Sequence, residues 1–131
     1  MIKQNTQVQT SIVCYVDGGC AGNGTEYSRA YGSYQIGTET VQRMNFPEAH
    51  TNNESEYNAL KGLLNDLSAR GIYGARIKMD SALVVNQVGG RWKIKEARLR
   101  PLCARARELM QTTRASLTWV KREEVESVLG H

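Results

Sequence analysis

The apolar pattern of this chain changes its period near Pro47, and that change limits the folds open to it. Before Pro47 the apolar residues come in short runs or alternate. Ile12 to Val16 is a near-continuous apolar run, so Ser11 to Val16 reads as a strand that leads straight into Asp17. Tyr31 with Ser33–Ile36, and then Thr40–Phe46, read as two strands of a hairpin turning at Gly37 and Thr38, rich in β-branched and aromatic residues. After Pro47, Tyr57, Leu60, Leu64 and Leu67 recur at helical spacing until Gly71. Asn52 or Asn53 is placed to cap that helix, with Glu54 and Glu56 at the positive end of its dipole.

The rest of the chain alternates. Arg76–Met79 is a short strand closed by Asp80. Ser81 starts a helix through Val88 that Gly89-Gly90 breaks. Leu99–Gln111 is a third helix with Leu102, Ala106 and Leu109 on its apolar face, Leu117–Val120 a last strand, and Glu123–Leu129 a final short helix. The order βββαβααβα implies an α/β fold with a five-stranded mixed sheet. Strands joined by tight turns are antiparallel, and those separated by helical crossovers are parallel. We expect one domain over residues 11–131, preceded by a Gln/Thr-rich flexible arm over residues 1–10.

Composition narrows the class. Apolar residues are 40% and charged residues 23% of the 131, which suits a packed globular protein rather than a disordered one. The net charge of +4 and pI near 9.1 suit a polyanionic partner without requiring one. Cys14, Cys20 and Cys103 form neither a C-x-x-C pair nor a zinc spacing, so a reducing cytoplasm is the expected compartment. No apolar run approaches the roughly 20 residues of a membrane span, so no membrane association is expected.

Asp17 and Asp80 close two strands that this order sets parallel, and ligands gather at such carboxyl ends. Glu56, in the first turn of the intervening helix, can face the same spot. Three converging carboxylates repel one another unless divalent cations neutralise them, and all-oxygen ligation points to Mg2+ or Mn2+. A two-metal phosphodiester hydrolase follows, with metals roughly 3.5–4 Å apart that activate water and stabilise the leaving 3′ oxygen. The plain alternative is that the two aspartates are turn residues or caps and Glu56 a surface charge.

Three segments decide between these readings. Tyr15-Val-Asp-Gly-Gly-Cys-Ala-Gly-Asn-Gly24, Thr51-Asn-Asn-Glu-Ser-Glu-Tyr-Asn-Ala-Leu60 and Met79-Asp-Ser-Ala-Leu-Val-Val-Asn-Gln87 resemble, in order and spacing, the main motifs of type 1 ribonucleases H. The resemblance runs from Ile12 to about Glu124, and Gly89-Gly-Arg-Trp-Lys-Ile-Lys95 looks like the compact bacterial and archaeal branch. It implies a ribonuclease H-like fold and an endonuclease that hydrolyses the RNA strand of RNA/DNA hybrids, leaving 5′-phosphate and 3′-hydroxyl ends. Asp17, Glu56 and Asp80 match the family's catalytic, metal-holding carboxylates; Glu54 matches none. Two alternatives stay open: a non-catalytic hybrid-binding module of the same fold, and a nuclease acting on double-stranded RNA or branched DNA.

The partner implied is an RNA/DNA hybrid, and the expected state is a monomer with no organic cofactor. Gly18 to Gly24, with four glycines and Asn23, reads as a tight loop offering backbone amides to a minor groove lined with 2′-hydroxyls. By resemblance Gly18, Cys20, Gly22 and Asn23 meet the RNA strand, and Thr51, Asn52 and Asn53 the DNA strand. Trp92, Lys93 and Lys95, with Arg91, combine charge and an aromatic ring in a pattern suited to phosphates, although Trp92 could equally be a core anchor.

One position departs from the family. Its fourth acidic residue, on the last helix, falls near Leu129 here. His131 is the later polar side chain that can replace it as a catalytic and metal-ligating group. The alternatives are that the chain continues to an Asp beyond His131, or that Glu123, Glu124 or Glu126 serves.

Overall fold

The computed structural model describes residues 11–21, 29–49 and 51–130. The expected arm over residues 1–10, and Gly22, Asn23, His50 and His131, lie outside these described residues. The elements follow the expected order: β1 (Val13–Ala21), β2 (Arg29–Ile36), β3 (Gln42–Phe46), α1 (Asn52–Ala69), β4 (Arg76–Met79), α2 (Ala82–Val88), α3 (Arg100–Thr113), β5 (Ser116–Trp119) and α4 (Arg122–Leu129). A short 3-10 turn, Ala97–Leu99, leads into α3.

The five strands lie in the order β3-β2-β1-β4-β5. β1 with β2 and β2 with β3 are antiparallel, while β1 with β4 and β4 with β5 are parallel. Side chains alternate across β1, so Cys14 and Val16 enter the main core. There they join the buried Leu60, Leu63, Leu64 and Leu67 of α1 and Cys103, Ala106 and Leu109 of α3. Each fully buried leucine stabilises the fold by roughly 1.5–3 kcal/mol relative to an exposed one. Tyr15 points to the opposite face, where its hydroxyl donates to Glu124 Oε2 of α4 at 2.6 Å.

Two expectations about β1 are corrected. Asp17 does not end a strand: β1 continues to Ala21, pairing Asp17 with Ser33 and Ala21 with Arg29. The glycine-rich stretch is therefore strand at its start rather than loop from Gly18 onward. Gly18 and Gly19 are needed for close approach. A Cβ on Gly18 would lie 2.7 Å from the Glu56 nitrogen of α1, and one on Gly19 would lie 2.6 Å from Cζ of Tyr31.

Helix α1 also starts differently. Its cap is Thr51, not Asn52 or Asn53, and the Thr51 hydroxyl accepts from the Glu54 amide at 3.2 Å. Thr51 is extended (φ −132°, ψ 161°), the cap conformation, and Asn52 is already helical. Gly71, with φ +66°, follows the C-cap Arg70 as the glycine signal implied. α2 begins at Ser81, whose hydroxyl accepts from the Val84 amide at 3.2 Å.

Candidate active site

Three elements converge at one end of the sheet. β1 and β4 pair with Tyr15 opposite Lys78, and the same offset carries Asp17 to the level of Asp80. The first turn of α1 packs on Gly18, which sets Glu56 beside Asp17. Carboxylate oxygens of Asp17, Glu56 and Asp80 accordingly lie within 4.8 Å of one another.

The environment of this group is hostile to charge. Asp17 is pushed up from 3.8 to about 6, first by burial and then by the Asp80 charge, against the Gly18 amide that donates to it. Glu56 is pushed up from 4.5 to about 7, again first by burial, with Asp17 and Asp80 adding and the Ser81 hydroxyl opposing. Both oxygens of Asp80 are buried, and among the described residues no hydrogen bond satisfies either. Buried carboxylates left this way are costly unless a cation neutralises them. The donor set is all oxygen and all acidic, so it fits a hard divalent cation, which Asp17, Glu56 and Asp80 could hold.

Sequence reasoning missed Arg122. The first residue of α4 puts its Nε 3.7 Å from Asp80 Oδ2 while the side chain stays 67% exposed. With Asp17, Glu56, Cys20, Asn52 and Tyr31 it lines a cleft of about 390 Å3. Cys20 and Asn52 line this cleft beside the carboxylates, Cys20 on β1 rather than on a loop. Thr51 is engaged as the α1 cap, and Asn53 follows it in the first turn.

Trp92, Lys93 and Lys95 lie elsewhere, past the far end of α2. They line a groove of about 590 Å3 with Leu83, Gln87 and Glu96. Trp92 is 49% exposed, so it is no core anchor. In α4, Glu124 is held by the Tyr15 hydroxyl and by Lys78 Nζ at 3.6 Å. Glu126 faces Arg122, with the two 4.0 Å apart. Neither they nor Glu123 joins the carboxylate group among the described residues. Leu129 is buried.

Comparison with known proteins fits this geometry. A family model described as reverse transcriptase-like matches residues 38–128. The N-terminal RNase H domain of Rv2228c from Mycobacterium tuberculosis, solved as a fusion with maltose binding protein, is 30% identical. The match covers 90% of this chain and 87% of that one, with a TM-score of 0.79. This chain belongs to the ribonuclease H family. Within that family it is similar to type 1 enzymes. RNase H1 from the halophilic archaeon Halobacterium salinarum NRC-1 is 29% identical, with 91% and 92% of the two chains covered and a TM-score of 0.80. LC11-RNase H1, solved in complex with an RNA/DNA hybrid, is 27% identical over 90% of this chain and 91% of that one, at a TM-score of 0.77. The bifunctional protein Rv2228c is 34% identical over 114 residues, and this chain spans 31% of its length.

Proposed function

We propose that this ribonuclease H domain is an endonuclease that hydrolyses the RNA strand of RNA/DNA hybrids. The observation that carries the reading is the convergence of Asp17, Glu56 and Asp80, with the Asp80 oxygens buried and lacking hydrogen bonds among the described residues, at the motif positions of type 1 ribonucleases H. Mg2+ or Mn2+ is the cofactor proposed; when bound, such ions activate the attacking water and stabilise the leaving 3′ oxygen, giving 5′-phosphate and 3′-hydroxyl ends.

The chain's own groups do the rest. The three carboxylates, fixed by a strand pair and a helix start, hold their positions without reorganisation. Arg122, exposed beside Asp80, offers a bidentate cation to a phosphate entering the cleft. Gly18, Cys20 and Asn52 present short groups to a minor groove, with Gly22, Asn23, Thr51 and Asn53 proposed beside them.

The charge distribution supports the partner. Residues 91–114 hold eight of the 17 Lys and Arg but only two of the 13 Asp and Glu, so the basic excess is concentrated around and after the Trp92 loop. His131 remains the proposed additional ligand. The proposed setting is a monomer in a reducing cytoplasm with no organic cofactor; the three cysteines are free, and no described helix is long and apolar enough to cross a membrane.

The deciding experiment offers labelled RNA/DNA hybrid, duplex RNA and duplex DNA to the protein in Mg2+ and in Mn2+. Cleavage confined to the RNA of the hybrid is expected. Hybrid binding with no cleavage in either metal would mark a non-catalytic module, and preferential cutting of duplex RNA would move the substrate class.

A further inference from the structure

Gln87 occupies a junction that the carboxylate site does not explain. It is the penultimate residue of α2, before Val88, and is 3% exposed, a rare setting for an amide side chain. Its Oε1 accepts from the Tyr57 hydroxyl of α1 at 2.7 Å, and Tyr57 is itself 1% exposed. Its Nε2 donates toward the Lys93 carbonyl at 3.4 Å, and its own carbonyl accepts from Arg107 Nη2 of α3 at 2.7 Å. One residue of α2 therefore ties together α1, α3 and the loop that carries Trp92, Lys93 and Lys95.

Around it the loop folds back on the end of α2. The amides of Arg91 and Trp92 both donate to the Asn86 carbonyl, at 2.8 and 3.1 Å, and Arg91 Nε donates to Asn86 Oδ1 at 2.8 Å. These bonds fix the start of the loop, through Trp92. Beyond Trp92, Ile94 packs against the core and its carbonyl accepts from Arg100 Nε at 3.4 Å, while the Gln87 side chain ties the Lys93 carbonyl to the buried Tyr57, the residue next to Glu56. At 1.5 Å per residue, the seven residues of α2 separate Asp80 from this loop by about 10 Å, roughly three nucleotides along a strand.

We propose that Gln87 and Tyr57 are positioning residues for substrate: their buried bond holds the Trp92–Lys95 loop at a fixed distance from the carboxylate site, so that duplex phosphates meet charges already in place. The proposal rests on the hybrid-binding reading above. A loop released from Gln87 must be ordered anew whenever duplex binds, so hybrid affinity should fall by about tenfold when the bond is removed. Cleavage of bound substrate should not change, because neither residue touches the carboxylates' oxygens.

The test compares wild type, Tyr57→Phe, Gln87→Met and Gln87→Glu. Gln87→Glu keeps the acceptor for Tyr57 and removes the donor to Lys93. Native-state trypsin digestion in EDTA reads the loop directly, since Arg91, Lys93 and Lys95 are cutting sites. Cuts after Lys93 and Lys95 should quicken about tenfold in the variants while cuts after Lys61 in α1 stay at the wild-type rate. Fluorescence anisotropy with a labelled hybrid in EDTA should show the matching loss of affinity for Tyr57→Phe and Gln87→Met, and with metal KM should rise while kcat holds. Should Tyr57→Phe or Gln87→Met unfold globally, Lys61 is cut as well, and Gln87→Glu then decides. Wild-type digestion rates at Lys93 and Lys95, or a released loop with unchanged hybrid affinity, would overturn the proposal. A wild type that binds no hybrid would instead sink the functional reading, and with it the substrate role; the digestion still decides whether the bond holds the loop.

Discussion

Replacing Glu56 by Gln should make the metal-free protein more stable, by an amount that grows as pH rises above about 4.5 and is complete above about 7. In the unfolded chain Glu56 has its ordinary value near 4.5; burial, then Asp17 and Asp80 against the Ser81 hydroxyl, push it to about 7 in the folded one. The sign follows from proton uptake. Between those two values the folded state binds more protons, so stability falls as pH rises, and above about 7 both states are ionised and the whole cost is present. At about 1.4 kcal/mol per tenfold change in proton affinity, the interval corresponds to roughly 3 kcal/mol. Glu56 is only partly buried, and solvent screening brings the figure to about 2 kcal/mol. Glutamine keeps the shape and removes the charge. In EDTA at about pH 8 the variant should therefore melt roughly 6–8 °C above wild type, taking roughly 3–4 °C per kcal/mol for a domain of this size. At about pH 4.5, where the wild-type carboxyl is protonated in the folded state and still half protonated in the unfolded one, little of the cost remains and the difference should shrink toward zero. Circular dichroism melts of both proteins at the two pH values measure this. An equal melting temperature at both, or a less stable variant at the higher pH, would show that Glu56 is a structural partner rather than a repelled charge.

Four further outcomes are expected. Asp17→Asn and Asp80→Asn should each lower hybrid cleavage by at least about a hundredfold in a single-turnover assay while the far-ultraviolet spectrum stays native, because each removes the charge proposed to hold a cation. Divalent cation at about a hundred times its dissociation constant should stabilise wild type by about 2.7 kcal/mol relative to EDTA, and the gain should weaken below about pH 7 as protons compete for Glu56 and Asp17. Lys93→Ala with Lys95→Ala should flatten the slope of log affinity against log salt by about one for each phosphate that is no longer neutralised, whereas an unchanged slope would assign those charges to solvent. If His131 supplies a nitrogen ligand, activity should favour Mn2+ and fall as imidazole protonates below about pH 6.5, and His131→Ala should remove that preference; wild-type rates in both metals would make it a bystander.

Much of the fold was legible because local signals agreed with one another. The stripe Tyr57, Leu60, Leu64 and Leu67 is buried as its spacing required, and the turn at Gly37 adopts φ +59°. Strand β1 was misjudged for a specific reason. A glycine pair reads as a loop wherever it serves close packing instead, and nothing local distinguishes Gly18 under Ser55 of α1 from a glycine in a turn. The helix cap was misplaced by one residue because threonine and asparagine are both good caps. What selects Thr51 is the position of Glu54, three residues on, whose amide and carboxylate both meet the Thr51 hydroxyl.

The site was legible in its acids and not in its base, and topology explains the difference. The carboxylates stand in recognisable segments, while Arg122 lies in Lys121-Arg-Glu-Glu124, a charge run that reads as a solvated face. Strand pairing gives it meaning. β5 runs parallel to β4 with Trp119 opposite Met79, so the chain leaves the sheet beside Asp80, and Trp119 Nε1 donates to the Asp80 carbonyl at 3.2 Å. Starting α4 two residues after Val120 then delivers the guanidinium to the carboxylates. The same helix turns Glu124 to Tyr15 on the sheet and buries Leu129 where a fourth acid would be expected, so within the described residues α4 brings a positive charge to the cluster and no negative one. A divalent cation held by Asp80 would therefore share that carboxylate with Arg122, whose exposed side chain would stay open to a substrate phosphate.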